Sequence, residues 1–174
     1  LEQRGIITSQ QGKGRFLREI PISQLGEDKQ EEMSKNLERY SLYEAYEVRQ
    51  VLETKAMDLI VRNATDSDLD EIETAYQTML LRFAETNTTT GEFELHQLYA
   101  KKTGSVFMEQ TLNIVLSTIL EMMHTTSHNV MDMHQVEEEK ADHRRIIDAL
   151  HKRDSSAAQQ AMYDHIQHTL DILQ

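Results

Sequence analysis

The chain has 174 residues, room for one well-buried core and an appendage but not for two full domains. It contains no cysteine, so disulfides and thiolate metal sites are excluded and any metal must be held by His, Asp, Glu or backbone oxygen. The net charge of −12 is uneven: Arg4, Lys13, Arg15 and Arg18 against Glu2 and Glu19 give residues 1–20 a charge of +2, which leaves −14 on the rest. An acidic body of that kind repels the phosphate backbone of a nucleic acid, and only the short basic opening could approach one. No apolar run approaches the roughly 18 residues of a membrane span, and no signal-peptide pattern opens the chain. A cytoplasmic protein without a membrane anchor is expected. The chain opens on Leu1 in what reads as mid-domain, as expected for a fragment of a longer protein.

Gly5, Gly12 and Gly14 crowd the opening, and Pro21 is the only proline. The stretch RGIITSQQGKGRFLREI holds two short β-prone runs joined by a Gly-Lys-Gly turn, which predicts a hairpin over residues 5–20. Residues 21–40 are polar and read as a linker or a loosely packed helix. From Ser41 onward the pattern is helical, which defines a helical domain over residues 41–174.

Ser41 and Glu44 form a capping box ahead of Leu42, Ala45, Val48, Val51, Leu52, Ala56, Leu59 and Ile60. A second helix follows Thr65 and Asp68, carries Leu69, Ile72, Ala75, Met79 and Leu80, and runs to about residue 85. The polar loop AETNTTTG ends at Gly91. A third helix is expected over 92–102, stopping at Gly104, and a fourth over 105–126. The fourth is apolar over a wide arc (Val106, Phe107, Leu112, Ile114, Val115, Leu116, Ile119, Leu120), which suggests burial on more than one side. A fifth helix, 133–152, is expected to open on an acidic, exposed EEEKAD. Asp154 caps a sixth that ends near residue 173. Six helices with mostly short connections predict an all-α antiparallel bundle preceded by a short β-hairpin.

Four potential metal ligands stand out on three of these helices. Glu92 and His96 are four residues apart, one above the other on a single helical face. His143 opens an apolar stripe with Ile146, Ile147 and Leu150, and His165 sits in another with Ala158, Ala161, Met162, Ile166 and Ile172. An inward histidine costs desolvation unless something inside binds its nitrogens. Taken singly, each is more ordinarily a hydrogen-bonded core residue, and Glu92 with His96 could be a surface pair. Together, one carboxylate and three imidazoles suit a borderline divalent metal such as zinc or nickel. His124 and His128 repeat the four-residue spacing at a polar helix end and lack a third partner. His134 lies at a helix start, while His151 and His168 read as solvated. The methionines, Met122, Met123, Met131 and Met133 among them, read as gap-fillers.

Arg49 lies mid-helix in YEVRQVLE. It is either a surface arginine reaching Glu53 one turn on, or a fork aimed into the bundle to hold a carboxylate.

These residues resemble a known pattern. YEVRQVLETKAMDLIVRNATDSDLDEIE, then EFELH, then DHRRIIDAL, then DSSAAQQAMYDHI, in that order over residues 42–173, look like the FCD effector-binding domain of the FadR subgroup of GntR-type bacterial transcription regulators. The opening LEQRGIITSQQGKGRFLREI is similar to the end of that family's winged helix-turn-helix domain, so residues 1–20 would be the wing remnant of a truncated DNA-binding domain. The resemblance implies a divalent metal held by Glu92, His96, His143 and His165, a small organic acid completing its coordination, and Arg49 directed at the ligand cavity. It also implies a homodimer that meets operator DNA only through the intact N-terminal domain, with Lys13 and Arg15 as wing contacts. Two positions depart from the family pattern: the first ligand is commonly aspartate and here is Glu92, and KKTGSVF after His96 lacks an asparagine often found there.

The function expected is a ligand-responsive transcription regulator, not an enzyme. The alternative is a metal-dependent, hydrolase-like enzyme, since three histidines and a carboxylate can also activate water. No motif places a spare general base, and an enzyme has no evident use for the basic hairpin. A purely structural dimerisation module is what remains if no metal binds.

Overall fold

The structure is a computed structural model that describes residues 7–10, 14–17, 27–86, 90–126 and 133–173, with side chains over 40–85, 91–123 and 137–173. The chain divides into two compact units, residues 1–38 and 39–174. In the first, β1 (Ile7–Gln10) and β2 (Gly14–Leu17) pair antiparallel, with Ile7 opposite Leu17 and Gln10 opposite Gly14. These are the two runs of the expected hairpin. Lys13 and the Arg15 side chain lie outside the described residues.

Six helices follow among the described residues: α1 (Glu27–Asn63), α2 (Asp66–Thr86), α3 (Thr90–Lys102), α4 (Val106–Thr126), α5 (Met133–His151) and α6 (Ser155–Leu173). The fold is the expected all-α bundle, in which α2 packs on α3 and α5, α3 on α4, and α5 on α6.

Residues 21–40, expected as a linker or loose helix, are helical from Glu27 onward. Ser41 therefore stands exposed inside α1 and caps nothing. A cap needs a residue with non-helical backbone, and the run EDKQEEMSKNLER, rich in straight-chain residues, carries the helix through that point. The inward face of α1 also differs from the expected stripe. Leu42, Tyr46, Ala56, Met57 and Ile60 are buried, but Val48 and Val51 are 51% and 70% exposed, while Arg49 and Glu53 are sealed inside. These two charged residues can face inward because they satisfy each other and groups on α3.

The remaining junctions follow their capping chemistry. Thr65 Oγ1 accepts from the Asp68 backbone N–H at 3.2 Å, and Asp68 Oδ2 accepts from the Thr65 N–H at 2.8 Å. Gly104 ends the α3 region at φ +68°, the left-handed conformation that glycine adopts without strain. Ser105 Oγ accepts from the Met108 N–H at 3.3 Å, and Asp154 Oδ1 from the Ala157 N–H at 3.0 Å. At the α5–α6 turn, Arg153 Nη1 donates to the carbonyls of Val61 and Ala64 at 3.2 and 2.6 Å, tying the turn to the end of α1.

The wide apolar arc of α4 is buried on one side only. Leu112, Leu116 and Ile119 enter the core, whereas Val106, Phe107 and Ile114 are exposed. On α6, Leu173 is buried and Ile172 faces out. Met57, Met79 and Met162 fill the core, as expected of gap-filling methionines. No helix among the described residues is long and apolar enough to cross a membrane.

Candidate metal centre

Helix α3 points Glu92 and His96 inward from successive turns, α5 points His143 inward, and α6 contributes His165. One ligand atom from each lies within 4.8 Å of the others, and all four residues are buried. The Nε2 atoms of His96 and His165 are 3.2 Å apart. Glu92 Oε1 lies 3.6 Å from the first and 3.9 Å from the second. Ligand bonds of about 2.1 Å place neighbouring donor atoms roughly 3.0 Å apart at right angles and roughly 3.4 Å apart in a tetrahedron. The His96, His165 and Glu92 atoms lie close to that range, and the right-angled arrangement leaves positions open for a further ligand.

The unsatisfied atoms agree with the spacing. Both ring nitrogens of His143 are sealed from solvent without a hydrogen-bond partner. Leaving a buried polar atom unpaired costs about 1–3 kcal/mol, and a metal bond would remove that cost for one nitrogen. Burial, reinforced by neighbouring positive charge, holds His96 and His143 well below the ordinary histidine value. Both are therefore neutral imidazoles, the form a metal requires. At His165 burial alone would lower the value, but Glu139, Asp142 and Glu92 outweigh it and the result is raised.

Arg49 is 1% exposed, so it is not the surface arginine that one reading allowed. Its Nε donates to Glu53 Oε1 at 2.6 Å and its Nη2 to Glu92 Oε1 at 3.2 Å. The guanidinium also lies 5.2 Å from the ring centre of Tyr46 and 5.4 Å from that of Phe93, within cation–π range. Arg49 reaches Glu53 one turn on, and does so inside the bundle. Burial alone would lower its value, but Glu53 and Glu92 raise it and keep it charged.

Three further carboxylates lie around the centre. Glu53 Oε2 hydrogen-bonds Nδ1 of His96. Glu139 Oε2 lies 3.2 Å from Nδ1 of His165 and 3.6 Å from Nε2 of His143, within ion-pair distance but not aligned as a hydrogen bond. Asp142 Oδ2 is 3.8 Å from Nδ1 of His165 and 2.8 Å from Nδ1 of the half-exposed His168. A small cleft opens at this edge, lined by Glu139, Asp142, His165, His168 and their neighbours.

EEEKAD, expected as an exposed helix start, is exposed only in part. Glu137 and Glu138 are exposed, but Glu139 and Asp142 are 7% and 3% exposed. Glu139 precedes His143 by one helical turn, and that spacing was the available signal. His151 is exposed as expected, whereas the side chains of His124, His128 and His134 lie outside the described residues.

The buried His₃–Glu cluster inside a six-helix bundle defines a class, a helical domain with a centre able to hold a metal. The FCD domain family matches residues 44–168, most of the chain, and the chain belongs to that family of GntR-type regulator domains. Among curated proteins it is similar to the HTH-type transcriptional regulator LutR of Bacillus subtilis (strain 168), at 24% identity over 178 residues, covering 99% of this chain and 80% of that protein. Among solved structures it resembles Streptococcus agalactiae GntR, with a TM-score of 0.66 and 19% identity, covering 98% of this chain and 77% of that one. It also resembles E. coli McbR/YncC, with a TM-score of 0.63 and 14% identity, covering 99% and 78%. These two likenesses are likenesses of fold.

Proposed function

We propose that this chain is the effector-sensing part of a transcription regulator that detects a small organic acid through a bound divalent metal. The observation that carries the reading is the convergence of Glu92, His96, His143 and His165 in a sealed centre beside Arg49. The donor set of three imidazole nitrogens and one carboxylate favours zinc or nickel. The metal supplies a Lewis-acidic anchor for a carboxylate or hydroxy acid. Arg49 lies against the same Glu92 oxygen that faces the two histidines, so an acid at the centre would meet a second positive charge.

The family and the similarity to a curated transcriptional regulator support the remainder of the reading. The protein acts as a homodimer and is not an enzyme, and it meets operator DNA through an intact N-terminal domain whose wing carries Lys13 and Arg15. Effector binding shifts the equilibrium between two arrangements of the dimer by its differential affinity for them.

The test begins with the metal content of protein purified without chelator. A thermal-shift screen of sugar acids, hydroxy acids and fatty acids follows, since a ligand at 100 times its dissociation constant stabilises by about 2.7 kcal/mol. An acid that stabilises the metal-loaded protein should also change operator affinity of the full-length regulator. If no acid does so, the sensing role is wrong.

A further inference from the structure

Among the buried side chains around the centre, Glu53 alone is hydrogen-bonded both to Arg49 and to one of the four converging residues. Its Oε1 accepts from Arg49 Nε at 2.6 Å, and its Oε2 faces Nδ1 of His96. Glu53 is 1% exposed and His96 0%, so neither group has water as an alternative partner. A neutral imidazole carries one proton, on either Nδ1 or Nε2. Burial raises the Glu53 carboxyl while Arg49 draws it back toward the charged form; in that form, with Oε1 accepting from the guanidinium, Glu53 has no proton to donate and selects the tautomer with the proton on Nδ1. The lone pair then lies on Nε2, the atom that stands 3.2 Å from His165 Nε2 and 3.6 Å from Glu92 Oε1.

We propose that Glu53 is the positioning residue of the centre: it fixes His96 in the Nδ1–H tautomer, turns Nε2 toward the metal position, and ties that orientation to Arg49. The metal half of this statement rests on the function proposed above, while the tautomer half does not. Helical geometry makes the arrangement possible. Arg49 and Glu53 are one turn apart on α1, so one side chain of the pair reaches Glu92 while the other reaches His96, one turn further along α3. Outer carboxylates of this type orient a ligating histidine and make it a stronger donor, and their loss typically weakens metal binding 10- to 100-fold.

The experiment uses the full chain with ¹⁵N-labelled histidine, and Zn²⁺ and Ni²⁺ as probes. In the metal-free protein, the ring nitrogen shifts of His96 should report Nδ1–H in the wild type, and Nε2–H or a tautomer mixture both in Glu53→Leu, which offers no acceptor, and in Glu53→Gln, whose single oxygen stays with the Arg49 guanidinium and turns its amide N–H toward Nδ1. Affinity for both ions, measured by chelator competition, should fall about 10- to 100-fold in both variants. A role in packing alone predicts altered metal-free stability with tautomer and affinity unmoved, and that result overturns the proposal. So does an Nε2–H form of His96 in the wild type, which decides the matter even if Glu53→Leu fails to fold. A wild-type protein that binds neither ion would instead defeat the metal reading, with the tautomer still reporting on Glu53.

Discussion

Nδ1 of His165 faces Oε2 of Glu139 across 3.2 Å, with both side chains sealed from water. Burial pushes the Glu139 carboxyl up to about 8, against the opposing pull of His165 and Arg49. The folded protein thus holds a proton there that the unfolded chain gives up at ordinary carboxyl values. The stability this contributes is complete below about 4.5 and is lost as pH rises through about 8. His96 and His143 work in the opposite sense. Their values are depressed in the folded state, so their contribution is complete above about 6.5 and is lost as pH falls below it. Urea unfolding of metal-free protein should therefore weaken on both sides of a maximum near pH 6.5. In Glu139→Gln the alkaline decline should shrink by about 1–2 kcal/mol between pH 6.5 and 8. An unchanged alkaline limb in that variant would place the extra proton elsewhere.

The purified protein should carry about one divalent ion per chain, and His143→Ala with His165→Ala should remove it. Elemental analysis after dialysis measures both. Binding should weaken as pH falls, first as His165, whose value is raised, takes up a proton, and only well below the ordinary histidine value as His96 and His143 do. Metal content that survives the double substitution would exclude these ligands.

Arg49→Ala strands two buried carboxylates, Glu53 and Glu92, that it now compensates. Breaking a buried pair from one side costs about 3–5 kcal/mol, so metal-free Arg49→Ala should be clearly destabilised. Arg49→Ala with Glu53→Ala should recover part of that loss, a non-additivity that a double-mutant cycle by denaturant titration reads directly. Additive effects would mean that the two residues are energetically independent despite their 2.6 Å contact.

In the metal-loaded protein, the acid found by the ligand screen should lose at least a hundredfold in affinity in Arg49→Ala, and Arg49→Lys should restore only part of it. An ammonium cannot reproduce the planar fork that a carboxylate meets on guanidinium. Calorimetric titration of the Lys variant is the cleaner measurement, since it keeps a charge beside Glu53. Wild-type affinity in both variants would leave the metal alone to hold the acid.

Gly104→Ala should cost about 1 kcal/mol. Its backbone sits at φ +68°, and a Cβ there would come 3.4 Å from Cβ of Asn63. Gly91→Ala is the comparison, at ordinary φ but with the new Cβ 3.3 Å from Met79 Cα. Equal thermal shifts for the two would argue against a conformational origin of the Gly104 effect.

Local chemistry determined what could be read from the chain alone. Helix number, the Thr65–Asp68, Ser105 and Asp154 starts and the Gly104 stop depend on neighbouring residues and short-range hydrogen bonds, and they were legible in order. The four converging residues were legible too, because one helical turn relates Glu92 to His96 and apolar stripes contain His143 and His165. What α1 buries was decided only in three dimensions. Periodicity of apolar residues placed Val48 and Val51 inward, but the energy of pairing Arg49 with Glu53, Glu92 and the ring of Tyr46 turns charged residues to the inside. The same holds for Glu139 and Asp142, whose burial depends on the His165 ring arriving from α6. A charge reads as solvated until its partner is known, and here the partners lie on other helices.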